Sequence, residues 1–298
     1  MADPRLMLEV PAESVHLIVT SPPSWRCSVH ENALRTTLYD NYEEYVNNLN
    51  MVWNECRRVL YDGCRLCIHI GDQFAKVATF GRYKIIPIRT EIIRFCETVG
   101  FDYMGAIICH KVKPGEKIGP SATMIGSYLY PRNGVIRIDY QFVLVFKKPG
   151  NSPVVSREQK EQSRLSVEEW NEYFSGHWQF PVEKRHRDGS LLTEELHGRL
   201  IRMFSFVGET VLDPFWGSGG TSLAAKRLQR NSIGYEMDSA VFPLIRKKLG
   251  VEQADIFSQD LVDVIKPRRD EIDFEKERQK LPYLFYDPFR NRRVNDKE

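Results

Sequence analysis

Between Val211 and Thr221 the chain reads Val-Leu-Asp-Pro-Phe-Trp-Gly-Ser-Gly-Gly-Thr, an apolar run that breaks at an acid and a proline and passes through a glycine-rich turn. A helix begins beyond it. Few folds accommodate such a segment. It belongs at the carboxyl end of a buried parallel strand, where the first N–H groups of the following helix face a crevice and a nucleotide-like ligand is the usual occupant. Glu236 closes the next apolar run, Ile233-Gly234-Tyr235-Glu236, where a carboxylate can accept both hydroxyls of a ribose. A nicotinamide fingerprint is incomplete, because Ser222 occupies the place of its last glycine.

The rest of the chain repeats the same grammar. Val15–Thr20 is a short run rich in β-branched residues that stops at Ser21-Pro22-Pro23, so a buried strand feeds a rigid loop. From Tyr42 the apolar residues Tyr45, Val46, Leu49, Val52, Trp53, Cys56, Val59 and Leu60 recur with a helical period, and Asp62-Gly63 is expected to stop that helix before a strand at Arg65–Ile70. A second helix through Ile88, Ile92, Ile93 and Cys96 ends at Gly100, followed by strands at Met104–Cys109 and Gln141–Phe146. The stretch from Lys147 to Arg164 is polar and aperiodic. A helix around Leu196–Phe204 leads to the glycine turn, and Ser232–Tyr235 is the next strand. The expected units are 1–150, a short linker or appendage at 151–184, 185–266, and a charged tail at 267–298 in which Asp270–Lys280 reads as a solvated helix.

The two loops, taken together, resemble those of the DNA amino-methyltransferases. In that family a [D/N/S]-P-P-[aromatic] loop holds the target amine and an F-x-G-x-G loop holds S-adenosylmethionine, matched here by Ser21-Pro22-Pro23 and Phe215-Trp216-Gly217-Ser218-Gly219. The order of the two loops is that of the circularly permuted β class. The fold implied is α/β, Rossmann-like, with a mostly parallel seven-stranded sheet whose last strand is reversed. A serine in the first loop position points, within the family, to cytosine N4 rather than adenine N6. The likeness extends to Asp3 in the opening segment, matching the acid that contacts the cofactor's adenine amine, to Gly71-Asp72-Gln73, and to Phe142–Pro149 along the reversed strand. Ser24 stands where an aromatic is expected, Gly220 where a threonine is usual, Cys109 where a tryptophan is common, and Arg187-Asp188-Gly189-Ser190 where a His-x-Ala-like segment is typical.

The resemblance implies a catalytic set of Ser21, Pro22, Pro23, Ser24 and Trp25, and a cofactor set of Asp3, Asp213, Phe215, Gly217, Ser218, Gly219, Thr221 and Glu236. An exocyclic amine is a poor nucleophile until acceptors draw its protons; the Ser21 hydroxyl and the Pro22 carbonyl suit that task. Neither a metal nor a covalent enzyme intermediate is needed. The base must leave the duplex, and Trp25 is either the ring that stacks on it or a packing residue. The net charge is only +2, from 42 basic and 40 acidic residues, so DNA must meet a local patch, for which Lys111, Lys113, Lys117 and Arg132 are the candidates. Residues 151–184, with Trp170, Tyr173, Phe174, His177 and Trp178, occupy the family's target-recognition position. Their shortness suggests a short site or a second subunit, as in a homodimer, and a restriction endonuclease is the other partner implied. Adenine-N6, protein or RNA methylation, and DNA binding without turnover, are the competing readings. The six cysteines read as core thiols rather than a zinc or redox site. With no secretory leader and no run of about 18 apolar residues, a cytoplasmic, nucleoid-associated protein without a membrane partner is expected.

Overall fold

The computed structural model describes residues 3–25, 41–75, 84–112, 132, 136, 138–181, 194–250, 265 and 272–288. The strands are β1 (Val15–Thr20), β2 (Leu60–Ile70), β3 (Gln73–Ala75), β4 (Lys84–Ile86), β5 (Asp102–Val112), β6 (Tyr140–Lys147), β7 (His177–Pro181), β8 (Thr210–Asp213) and β9 (Asn231–Gly234). The helices are α1 (Tyr42–Val59), α2 (Ile88–Thr98), α3 (Arg157–Gln162), α4 (Val167–Tyr173), α5 (Glu194–Phe204), α6 (Gly220–Arg227), α7 (Phe242–Leu249) and α8 (Phe274–Arg278). No helix among the described residues is long and apolar enough to cross a membrane.

Seven strands form one sheet in the order β7-β5-β6-β2-β1-β8-β9, while β3 and β4 pair as a separate hairpin. Strand β6 runs antiparallel to both β2 and β5, and every other neighbouring pair is parallel. This is the mostly parallel sheet with a reversed strand, and the reversed strand falls on the stretch expected to carry it. Both faces are covered, as a parallel sheet requires. One face packs Ile18, Leu66, Ile68 and Leu144 against α1 and α2 through Trp53, Val52, Ile92 and Phe95. The other packs Leu17, Val19, Cys67, Val143 and Val145 against α5 and α6 through Leu200, Ile201, Ala224 and Ala225. Burial lifts the Cys64 thiol to about 11 and the Cys67 thiol to about 12.

Three expectations change. Asp62-Gly63 does not stop α1; the helix ends at Val59 and the chain passes directly into β2, whose register against β1 slips between Val15↔Leu60 and Leu17↔Arg65. Gly63 has φ +75, and a Cβ there would lie 2.3 Å from Ser152 Oγ, so the glycine serves a bulge pressed against a neighbouring segment. Second, 151–184 is not merely an appendage, since it supplies β7 as the outer strand of the sheet, with Trp178 fully buried. Helices α3 and α4 feed β7 from its amino end, and they are tied to the segment entering β8, where Val207 N–H donates to Ser163 Oγ (2.8 Å) and Gln159 Nε2 donates to Val207 O (3.1 Å). They therefore sit at the edge opposite Ser21. Third, the solvated helix is short, Phe274–Arg278, and the tail beyond it enters the core at Phe285.

Candidate active site

Strands β1, β2, β8 and β9 are adjacent and point the same way, so the segments leaving their carboxyl ends open at one edge. These segments are Ser21–Trp25, Gly71–Gln73, Pro214–Gly219 and Tyr235–Asp238. The sheet thus brings both sequence motifs together although nearly two hundred residues separate them.

Thr20, the last residue of β1, donates from Oγ1 to Asp213 Oδ1 at 2.7 Å, and Thr221 on α6 donates to Asp213 Oδ2 at 2.6 Å. The Phe215 N–H reaches Asp213 Oδ1 at 3.1 Å. Both oxygens of the fully enclosed carboxylate are thereby taken up inside the protein. Burial raises the carboxyl to about 6; the bonds from Thr20, Thr221 and Phe215 oppose that shift, and Glu236 adds to it. Asp213 therefore joins the Ser21–Trp25 loop to the glycine turn, and Thr221 helps it do so.

Glu236 is anchored over the same turn. Its carboxylate accepts from Gly217 N–H at 2.9 Å and from Asp238 N–H at 2.8 Å. Gly217 and Gly219 have φ of +53 and +78, where a side chain is strained. Gly219 caps α6 in a left-handed conformation without a side-chain bond, so no side chain of the cap satisfies the first N–H groups of that helix. The Trp216 ring lies on Gly234, where a Cβ would come within 2.3 Å of it, and its Nε1 donates to Ser222 Oγ at 2.7 Å. Ser222, which replaces the nicotinamide-type glycine, thus holds the turn's tryptophan. Gly220 has a similar explanation, since a Cβ there would meet His197 Cε1 of α5 at 3.1 Å. Ser218 Oγ accepts from Lys248 at 3.2 Å, and Phe215 packs edge-on to Trp53.

On the other side, Ser21 Oγ donates to the carbonyl of His69, the residue opposite it on β2, at 3.2 Å. A carbonyl only accepts, so the single hydroxyl proton is committed and what remains on Ser21 is acceptor capacity. Pro22 is buried, and the Pro23 carbonyl accepts from Tyr45 Oη of α1 at 2.8 Å. With the Gln73 amide oriented so that its nitrogen donates to Trp25 O at 2.9 Å, its oxygen accepts from Ser24 Oγ (3.1 Å) and Trp25 N–H (3.2 Å). Ser24 is exposed and Trp25 is 6% exposed, its ring 5.1 Å from that of Tyr42. Trp25 thus sits in the core cluster behind the loop. Asp72, next to Gln73, pairs with Arg89 at 3.4 Å; burial raises its carboxyl and Arg89 opposes the rise.

Asp3 is buried and clasped by Arg5, whose backbone N–H, Nε and Nη2 all donate to it at 2.7–3.1 Å. Its segment reaches the glycine turn through Tyr235 Oη, which donates to Glu9 at 2.8 Å. Lys111 lies near the carboxyl end of β5, Arg132 is exposed with φ +76, and Lys113 and Lys117 lie outside the described residues. Gly71-Asp72-Gln73 is among the segments the resemblance covers, whereas sequence reasoning missed Thr20 and Tyr45 as members of this assembly. Thr20 adjoins the Ser-Pro-Pro motif, and nothing local marks Tyr45.

The geometry is that of an α/β methyltransferase, and the DNA methylase family of N6/N4 type matches over residues 15–247; the chain belongs to that family. Among its relatives, the type II methyltransferase M.MjaI of Methanocaldococcus jannaschii is 34% identical, over 84% of this chain and 90% of its own. A Thermus thermophilus protein described as a DNA modification methylase, solved in complex with S-adenosyl-L-methionine, is 34% identical, with a TM-score of 0.69 over 85% of this chain and 92% of that one. The PvuII DNA methyltransferase, which is cytosine-N4-specific, shares the fold with a TM-score of 0.58 at 18% identity, over 93% of this chain and 88% of its own.

Proposed function

We propose that this chain transfers a methyl group from S-adenosylmethionine to the exocyclic N4 amine of cytosine in duplex DNA, as a β-class, circularly permuted enzyme. The observation that carries the proposal is the Ser21 hydroxyl, whose proton is engaged by the His69 carbonyl so that what remains on it is acceptor capacity. Such an oxygen accepts one amine proton, and the Pro22 carbonyl accepts the other. Together they draw the nitrogen lone pair out of the ring. The choice of cytosine rests on the serine at this position, which the family associates with N4.

The cofactor side fits a cationic nucleoside. The Glu236 carboxylate, held over the turn by the Gly217 and Asp238 N–H groups, is the acceptor for the ribose hydroxyls. Gly217, Ser218 and Gly219 leave the turn open to close backbone approach, Phe215 offers an apolar wall, and Asp3 supplies an acceptor for an adenine amine. Asp213 and Thr221 act from behind by fixing the turn. S-adenosylmethionine, when bound, supplies an electrophilic methyl group on a sulfonium. The protein's contribution is positioning and hydrogen bonding at the amine. For DNA, the carboxyl edge of β5 and β7 is the proposed interface, with Lys111, Lys113, Lys117 and Arg132 on phosphates and the target base extruded. A homodimer and a restriction endonuclease are the protein partners we propose. Incubation with labelled S-adenosylmethionine and duplex DNA, followed by digestion and mass identification of the nucleoside, is expected to yield N4-methylcytosine. Recovery of N6-methyladenine alone overturns the base assignment. Label on RNA or protein, or none on DNA, overturns the reaction.

A further inference from the structure

The segment 272–288 has no part in the reading above, yet its contacts converge on the catalytic loop. Asn47, buried on α1, grips the backbone of Phe285 at two points: Nδ2 donates to Phe285 O at 3.0 Å and Oδ1 accepts from Phe285 N–H at 2.8 Å. One helical turn earlier, Glu43 accepts from Asp287 N–H at 3.0 Å. A buried amide satisfied at both ends fixes the register of the segment across a sequence separation of 238. The Phe285 ring, 5% exposed, then stands edge-on to Tyr42 at 5.6 Å. Tyr42 is the residue that packs on Trp25, and Tyr45, three positions along the same helix, donates to the Pro23 carbonyl. At its other end the segment places Phe274 3.8 Å from the guanidinium of Arg5, which clasps Asp3.

We propose that residues 272–288 are a strap that positions the catalytic loop, with Asn47 and Phe285 as positioning residues for the Pro22 carbonyl and the Ser21 hydroxyl. The inference rests on the methyltransferase reading for what the loop does, but not for the strap itself. The physical reason is the tolerance of the chemistry. Two acceptors must meet two amine protons within tenths of an ångström, and Ser21–Trp25 rests on the Tyr42–Tyr45 face of α1 through the Pro23 carbonyl and the Trp25 ring. A ring wedged against Tyr42 from behind removes the freedom of that face to recede.

The test compares the full-length protein with Phe285→Ala, Phe285→Leu and Glu43→Ala. Single-turnover methylation at saturating DNA, S-adenosylmethionine affinity by calorimetry, melting temperature and amide hydrogen exchange over residues 20–25 are measured on each. The expected result is a single-turnover rate at least tenfold lower in Phe285→Ala and several-fold lower in Glu43→Ala. Cofactor affinity should stay within twofold, exchange over 20–25 should be faster, and Phe285→Leu should recover part of the rate. If Phe285→Ala does not fold, Phe285→Leu and Glu43→Ala decide the matter. Rates and exchange equal to wild type in folded variants overturn the strap, whatever the change in melting temperature. If the wild-type protein methylates no DNA, the methyltransferase reading fails and the exchange measurement alone still decides the strap.

Discussion

Thr20→Val removes one hydroxyl and almost nothing else, which makes it a sharp probe of the link between the two loops. Thr20 is fully buried and its Oγ1 lies 2.7 Å from Asp213 Oδ1, so no water can replace the lost donor without opening the core. A hydrogen bond to a charged group contributes about 1.5–3 kcal/mol, and one between neutral groups about 0.5–1.5. Which figure applies depends on pH, because burial holds the Asp213 carboxyl near 6 against an ordinary 3.8. That raised value means the native protein binds the proton more tightly than the unfolded chain does. The group's stabilising contribution is therefore complete below 3.8 and is lost as pH rises through about 6. Removing the Thr20 donor disfavours the carboxylate further, by about 1 kcal/mol beyond its effect on the acid, and so pushes the carboxyl up by roughly another unit. In the variant the loss continues above pH 6. Urea unfolding at pH 5 and pH 8 should thus give a destabilisation of about 1 kcal/mol at the lower pH and about 2–3 at the higher. Other titrating groups cancel between the two proteins. An equal penalty at both pH values, or a larger one at pH 5, would refute the idea that Thr20 holds an ionised Asp213.

Glu236→Ala should weaken S-adenosylmethionine binding by about 1.5–3 kcal/mol, read by calorimetry on the folded variant, because charge-assisted bonds to both ribose hydroxyls are lost; unchanged affinity removes Glu236 from the site. Gly234→Ala should displace the Trp216 ring, since the new methyl falls 2.3 Å from it, and lower cofactor affinity while β1 and its loop are untouched; an affinity equal to wild type shows that Trp216 has no part in shaping the turn. Trp25→Ala should cost about 3–5 kcal/mol of stability, as expected of a core aromatic, with a drop in melting temperature as the readout. A stable Trp25→Ala that loses only affinity for the extruded base would instead make it the stacking residue, and Ser24→Tyr then should not raise turnover.

What the sequence disclosed was whatever is written locally. Ser21-Pro22-Pro23 and Phe215–Gly219 are short segments whose composition dictates a turn, and β1 was delimited to the residue because β-branched apolar residues end at a proline pair. Strand β7 escaped because it has five residues with a histidine and a glutamine among three apolar ones, too short for a period, and it owes its strand state to pairing with β5. The tail misled for a related reason. Its charges describe Phe274–Arg278 correctly as exposed, but the burial of Phe285 depends on an asparagine on α1 that carries no mark of its partner. Bulges behave likewise, and Asp62-Gly63 looks the same at a helix stop and inside a strand.

The site itself shows why such long-range facts matter more than the order of the motifs. Thr20 and Asp213 meet because β1 lies between β2 and β8 in a sheet whose strands there run the same way. That adjacency is supplied by the cores on the two faces, which bury Leu17 and Val211 on one and Ile18 and Leu212 on the other. Nothing in it requires the Ser-Pro-Pro loop to precede the glycine turn along the chain. What it does require is a rigid joint between two loops that belong to different halves of the sequence, and the bridge from Thr20 through Asp213 to Thr221 is such a joint, made of three buried side chains. Because Asp213 accepts from both Thr20 and Thr221, the residue preceding Ser21 and the first turn of α6 are held to one carboxylate, and neither can shift without straining a buried bond.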